Sequence, residues 1–311
     1  MKAFWNWWQN FWFAPQDTIG LAFMRIQLGL VMLYLYSIRL VENMDYFDGR
    51  GILPRDIALE AMPAFQRPPF SFILWPDSWA VAVHGIFVLL ILLWTLGLFS
   101  RAGGWLIWVI HLGFLQRNYA VAFGADLIIG VLLFYLCFAQ TNEDLSIKKI
   151  FFPNSGRHPK QTDSLSSAMI RLIQVHISVI YAYTGFEKLK GVTWWDGTAL
   201  WSVLGNPQMT IYDMSFLRYV PWVVSVITFL TIVFEIYFPF AVAFRATRPW
   251  WLWGGILFHA GIGLLMGLTP FSLTMLSTYW LFLDSTKLRG HFIDFLSALR
   301  EKFFSQTPRP I

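Results

Sequence analysis

The feature that most constrains this chain is a series of long apolar runs that follow one another from residue 20 to residue 284. Most of them have about the 20 residues that an α-helix needs to cross a bilayer. Strands of a membrane barrel would instead show alternating segments of about ten residues. The pattern predicts an all-α, polytopic transmembrane helical bundle with about seven to eight spans. The predicted spans are 20–38, 79–98, 102–115, 120–139, 168–186, 219–243, 250–268 and 270–284.

The composition excludes several classes of soluble protein and site. Only 13% of the residues are charged, whereas about 25% are charged in an average soluble domain. A single cysteine, Cys137, excludes an intrachain disulfide and any site built from several cysteines. The histidines lack metal-binding spacings such as HExxH, so no metal site is expected. No basic block is interleaved with aromatic residues, so we expect the lipid bilayer, and no nucleic acid, as a partner.

The polar segments divide the chain into three parts. We expect residues 1–18 to form an amphipathic segment in the membrane interface, 19–284 to form the transmembrane domain, and 285–311 to form a cytoplasmic tail. With eight spans, the side that holds both termini carries more Lys and Arg than the other side. The positive-inside rule then predicts a multi-pass protein of the inner or plasma membrane with both termini in the cytoplasm. Loops 39–78 and 187–218 would lie outside and pack together.

Several ionisable residues lie within the predicted spans, where an unpaired charge is costly. Two interpretations are open: they pair with one another for structural reasons, or they line a functional cavity. A structural pairing would join Asp126 or Glu235 to Arg25 or Arg171. In either case we expect both carboxylates to point into the bundle, each near an arginine or a histidine. The intramembrane polar candidates are Arg25, Asp126, Arg171, His176 and Glu235.

The stretch from residue 181 to residue 201 ends an apolar run abruptly. Glu187, Lys188 and Lys190 interrupt it, and Trp194 and Trp195 follow at once. Lys188 is therefore close to the hydrocarbon edge. One interpretation is an anchoring lysine, with its stem in lipid and its ammonium in water. The other is a catalytic lysine, because desolvation favours the neutral amine that can act as a base.

Residues along most of the chain resemble the HTTM family, whose membrane domain is shared with vitamin K-dependent gamma-glutamyl carboxylase. Each similar stretch is short, and together they occur in the order found in the family. They are 25–30 (RIQLGL), 48–55 (DGRGILPR), 98–101 (LFSR), 117–118 (RN), 124–126 (GAD), 174–197, 258–259 (FH) and 271–272 (FS).

The resemblance implies a function for Lys188. In the carboxylase a lysine in a similar Gly-x-x-Lys-Leu setting before a tryptophan is the base that deprotonates vitamin K hydroquinone. The similar stretch here begins at Gly185, so the resemblance makes Lys188 the catalytic candidate. It makes Trp194, Trp195 and His259 the cofactor-binding candidates. The implied cofactor is a reduced quinone of the vitamin K or menaquinol type, and the implied reaction is carboxylation of glutamate.

The chain departs from the carboxylase in two respects that leave a second function open. Where the carboxylase has an Asn-His pair, this chain reads Arg117-Asn118-Tyr119. Its predicted outward loops are also too short to form the carboxylase's substrate-binding domain. A peptide or a separate soluble substrate-binding protein is therefore the expected partner of an enzyme or enzyme subunit. The alternative is a non-catalytic membrane component that helps to export or mature a peptide.

Overall fold

The computed structural model describes residues 1–49, 51–61, 77–99, 101–147 and 163–304. Within these ranges the chain forms helices and turns and contains no β-strand. The prediction of an all-α fold is confirmed.

The longer helices follow the predicted apolar runs, with changes at several ends. The third run extends into a 17-residue helix, and the fourth begins only at Gly124. The last run divides into a short α-helix and the 3-10 turn Thr278–Leu281. The longer helices are α1 Lys2–Phe13, α2 Ile19–Val41, α3 Ala80–Thr95, α4 Arg101–Arg117, α5 Gly124–Phe138, α6 Ser164–Lys188, α7 Pro221–Ala243, α8 Arg248–Leu265, α9 Thr269–Ser277 and α10 Ser285–Phe304.

Among the described residues, three helices are long and apolar enough to cross a membrane. They are α2, α6 and α7, with 23, 25 and 23 residues. Two shorter helices, α3 and α5, are also apolar. Many large apolar side chains on the outside of α7 and α8 are exposed, including Leu230 and Leu257. Such a surface is typical of a bundle that faces lipid.

The core of the bundle is built around α2, whose buried face includes Leu21, Met24 and Leu28. Helix α2 packs against α3 and α9, and α4 packs against α5. On the other side of the bundle α6 packs closely along α7, which in turn packs against α8. Helices α6, α7, α8 and α9 thereby enclose the space in which the candidate site lies.

Small residues allow two of these helix pairs to approach closely, as is common in membrane proteins. A Cβ atom added to Gly29 of α2 would lie only 2.1 Å from the hydroxyl oxygen of Thr95 on α3. A Cβ atom added to Gly185 of α6 would lie 2.7 Å from a side-chain carbon of Ile236 on α7. The second contact brings the end of α6 beside the middle of α7.

Polar contacts define one end of the bundle. Arg289 of α10 donates to the carboxylates of Asp17, before α2, and of Asp144, after α5. Donation to Asp17, and then to Asp144, raises the pKa of the Arg289 guanidinium above its ordinary value. The start of α2, the turn after α5 and the last helix therefore meet at this end.

A second set of contacts defines the opposite end. Arg117, at the end of α4, donates to the carbonyl oxygens of Asp48 at 2.7 Å and Leu53 at 3.0 Å. Asn118 donates to the carbonyl oxygen of Tyr46 at 2.7 Å. The start of loop 39–78 is thus held by the residues that follow α4. Its expected packing on loop 187–218 depends partly on Trp75, which lies outside the described residues.

Candidate functional site

A cavity of about 570 Å³ lies between α6, α7, α8 and α9, near their ends next to residues 188–221. Most of its wall is apolar, and its polar side chains are few. Those polar side chains are Lys188, Glu235, Tyr181, Thr184, Thr231 and His259. A mostly apolar cavity with a few polar groups is the usual form of a site for a small organic molecule.

The charged part of the wall is an ion pair between two helices. The Nζ atom of Lys188 lies 2.7 Å from the Oε2 atom of Glu235. Glu235 is buried, and Lys188 is mostly covered. The pair therefore joins the end of α6 to α7 within the cavity wall.

The pair forms because α7 continues past the point where α6 ends. Lys188 is the last residue of α6, whereas Glu235 lies well inside α7. Beyond Lys188 the chain folds back and forms the short helix Val192–Trp195. Gly197 then adopts a positive φ of 70°, at a point where the backbone packs closely against Ser225 of α7. This return places the ring of Trp194 5.3 Å from the Lys188 ammonium, a cation–π distance.

A buried hydrogen-bonded chain forms the inner part of the wall. The hydroxyl of Tyr181 lies 2.6 Å from Nε2 of His259 and 2.8 Å from the hydroxyl of Tyr279. The Nδ1 atom of His259 is buried without a hydrogen-bond partner among the described residues. An unsatisfied buried group of this kind costs about 1–3 kcal/mol. A polar ligand atom within hydrogen-bond distance of Nδ1 would satisfy it.

Two of the three predicted cofactor-binding residues line this cavity, and the third does not. Trp194 and His259 are part of the wall. Trp195 is 63% exposed, and its indole N–H donates to the carbonyl oxygen of Leu189 at 2.7 Å. The cavity wall includes Trp194 but not Trp195. The assignment of Trp195 to this site is therefore corrected.

Asp126 belongs to a separate buried network. It accepts two hydrogen bonds from Arg39, at 2.8 and 2.7 Å, and is fully buried. Its own carbonyl oxygen lies 3.0 Å from Nε2 of His111, whose Nδ1 atom contacts the hydroxyl of Tyr36 at 2.7 Å. The expectation that Asp126 points into the bundle beside an arginine is confirmed. Glu235 also points into the bundle, as predicted, but its ion-pair partner is a lysine rather than an arginine or a histidine.

The remaining intramembrane candidates lie outside the cavity wall. Arg25 donates to the carbonyl oxygens of Thr141 and Leu145 after α5. Arg171 donates to the carbonyl oxygen of Phe11 at 3.1 Å and to Gln174 at 2.9 Å. The proposed pairings of Arg25 or Arg171 with a buried carboxylate are wrong, because both guanidinium groups are engaged by oxygens at helix ends or on their own helix.

His176 is also removed from the cavity wall, on the side of α6 that faces α5. Its Nδ1 atom lies 2.6 Å from the hydroxyl of Tyr135. This contact gives the histidine a structural hydrogen bond between the two helices.

Comparison with known families gives a match over most of the chain, from residue 13 to residue 286, to the HTTM domain. The chain belongs to the HTTM domain family. No curated protein and no solved structure matches it. The HTTM domain is a membrane domain associated with vitamin K-dependent carboxylase, so the resemblance seen in the sequence is confirmed at the level of the family.

Sequence reasoning on this HTTM chain missed the partners that surround its candidate residues. Tyr181 and Tyr279 were not singled out, although they position His259. Arg39, which neutralises Asp126, lies just beyond the predicted first span. Periodicity could have found Tyr181, because it and Lys188 are seven residues apart and so lie on one face of α6.

Proposed function

We propose that this HTTM protein is a membrane-embedded enzyme, or an enzyme subunit, that binds a reduced quinone in the cavity between α6, α7, α8 and α9. The observation that carries the proposal is the Lys188–Glu235 pair, with its 2.7 Å separation, in the wall of an otherwise apolar cavity. A group that could accept a proton is thereby placed beside a space suited to a lipid-soluble ring.

The residues of the cavity fit a reduced quinone in three respects. The apolar lining matches the ring and its hydrocarbon substituents. Nδ1 of His259 lacks a hydrogen-bond partner among the described residues and could bond to a ring oxygen. Trp194 supplies an aromatic surface beside the Lys188 ammonium. A reduced quinone would supply acidic phenol groups and, on oxidation, the driving force for removing an unreactive proton.

The role of the pair is to accept and hold one phenolic proton. When Lys188 is a neutral amine it can take the proton directly, and Glu235 then neutralises the resulting ammonium within the low-dielectric wall. Tyr181 fixes the ring orientation of His259 through Nε2. The apolar wall excludes bulk water, which strengthens these electrostatic interactions.

Carboxylation of glutamate is the reaction that the family association favours. The substrate would be a peptide, or a glutamate-containing segment presented by a separate soluble protein at the end of the bundle that holds residues 188–221. The γ carbon of that glutamate would lose a proton and gain carbon dioxide, and a reduced quinone held by Lys188, Trp194 and His259 would supply the driving force.

The proposed membrane arrangement has about seven to eight spans and both termini in the cytoplasm. The meeting of Asp17, Asp144 and Arg289 at one end supports it, because the start of α2 and the last helix then share a side. Loops 39–78 and 187–218 would lie outside, as would the Lys188 end of the cavity. Segment 1–18 would lie in the interface and 285–311 would be cytoplasmic.

The test is quinol oxidation by the purified protein in lipid nanodiscs. Menaquinol, oxygen, bicarbonate and a glutamate-containing peptide are supplied, and quinone formation and peptide mass are followed. Lys188→Arg is expected to abolish both products, because arginine keeps the positive charge but does not give up its proton near neutral pH. Its membrane insertion should be unchanged.

Lys190→Arg is the matched control. Lys190 is exposed and pairs with Glu187 at 2.6 Å, away from the cavity wall, so its variant should retain activity within about two-fold. Full activity of Lys188→Arg, or the absence of quinol oxidation in the unaltered protein, would overturn the proposal. The second result would favour the non-catalytic role in peptide export or maturation.

A further inference from the structure

The wall of the cavity contains two residues that are also exposed on the outside of the bundle. Ile227 of α7 is 41% exposed, and Leu257 of α8 is 71% exposed. The cavity therefore reaches the outer surface between these two helices. Since α7 is long and apolar enough to cross a membrane, we expect this part of the surface to face hydrocarbon.

A glycine lies at the same place in the wall. Gly261 follows Leu257 by one helical turn on α8 and also lines the cavity. A Cβ atom added there would meet no heavy atom within 4 Å. Two glycines that pack tightly between helices behave differently: at Gly29 and Gly185 an added Cβ atom would lie within 3 Å of a neighbouring helix. Helix packing thus does not require glycine at 261.

We infer that Ile227, Leu257 and Gly261 form a lateral portal through which the hydrocarbon tail of a membrane-dissolved ligand leaves the cavity between α7 and α8. The polar ring of the ligand lies at the inner wall beside Lys188 and His259, and its tail extends into the bilayer. The absence of a side chain at Gly261 keeps this opening wide. This inference rests on the proposed quinone function and adds the route by which the aliphatic tail of the quinone leaves the cavity.

The portal predicts that a side chain at residue 261 discriminates between ligands with and without a tail. Equilibrium binding of tritiated menaquinone-4 and of tritiated menadione, which lacks the tail, is measured on the protein in nanodiscs and corrected with empty nanodiscs. Gly261→Leu is expected to weaken menaquinone-4 binding by about ten-fold or more, because the new side chain competes with the tail. Menadione binding should change by less than about two-fold.

Gly85→Leu is the matched control. Gly85 lies on α3, away from the cavity wall, and a Cβ atom there also meets nothing within 4 Å. It should bind both compounds as the unaltered protein does. Unchanged menaquinone-4 binding in Gly261→Leu, or an equal loss of both compounds, would overturn the portal while leaving the quinone site in place. Failure of the unaltered protein to bind either compound would overturn the proposed function as well.

Discussion

Replacing Asp126 by asparagine is expected to destabilise the bundle strongly, although the change in volume is small. The Arg39 guanidinium donates to both carboxylate oxygens of Asp126, and the two side chains are 10% and 0% exposed. Asp126 also accepts a hydrogen bond from the backbone N–H of Phe123, at 3.1 Å. Without the carboxylate the buried guanidinium charge has lost its counter-ion. Breaking such a pair costs about 3–5 kcal/mol.

The single cysteine supplies the assay. Cys137 is buried, so a thiol reagent reaches it only when the bundle opens. The rate of modification is measured in detergent under conditions where opening and closing are faster than reaction. A loss of about 3 kcal/mol should then increase that rate by about 100-fold in Asp126→Asn. Arg101→Gln is the control, because its pair with Asp163 is 36% and 33% exposed and contributes about 0–1 kcal/mol.

If Cys137 of Asp126→Asn reacts no faster than Cys137 of the Arg101→Gln control, the Arg39–Asp126 pair does not stabilise the bundle as described. A double variant gives a second check. In an Arg39→Gln background the charge that needs neutralising is already absent. The further cost of Asp126→Asn should therefore fall to a small part of its cost alone.

Two further predictions concern helix packing and the ion pair of the cavity. Gly29→Ala should lower the free energy of unfolding by about 1–3 kcal/mol, since the new methyl group would overlap the Thr95 side chain. Gly85→Ala, which has open space around it, should be neutral or slightly stabilising. Both variants are measured through the reactivity of Cys137. Glu235→Gln should lower kcat for quinol oxidation by about ten-fold or more with little change in KM, because the amide cannot neutralise a protonated Lys188. An unchanged kcat would show that Glu235 has no part in the mechanism.

The helices were predictable because their signal is local. A long apolar run has few alternatives within a membrane, and α2, α6 and α7 follow the predicted runs to within a few residues. The short α9 was harder to predict, since Pro270 can begin a helix but the run that follows ends in a 3-10 turn. Such irregular ends depend on packing against other helices.

The candidate site was predictable only in part. The charges that interrupt the chain after residue 186, together with the family resemblance, singled out Lys188 and His259, and Glu235 was marked as a costly intramembrane carboxylate. Their mutual placement was not predictable. The pairing of Lys188 with Glu235 arises because Gly185 lets α6 approach α7 and because α7 continues beyond the end of α6. No sequence spacing encodes such a relation between two helices.

The misassigned residues illustrate the same limit. In the structural interpretation Arg25 would pair with a buried carboxylate, yet it donates to the carbonyl oxygens that follow α5. An arginine can donate to either kind of acceptor, and only tertiary structure decides between them. Trp194 and Trp195 were assigned together from the family resemblance, although only Trp194 lines the cavity.

The most direct test of the central claim is photoaffinity labelling with an azido-quinone of the menaquinone type in nanodiscs, followed by peptide mapping. The account predicts labelling of the segments that form the cavity wall, within residues 180–204 of α6 and the chain that follows it, 227–235 of α7, 257–266 of α8 and 271–275 of α9. Excess unlabelled menaquinone should suppress it. Label confined to other segments, such as α3 or α4, or label that unlabelled menaquinone does not compete away, would contradict a quinone site at Lys188 and Glu235.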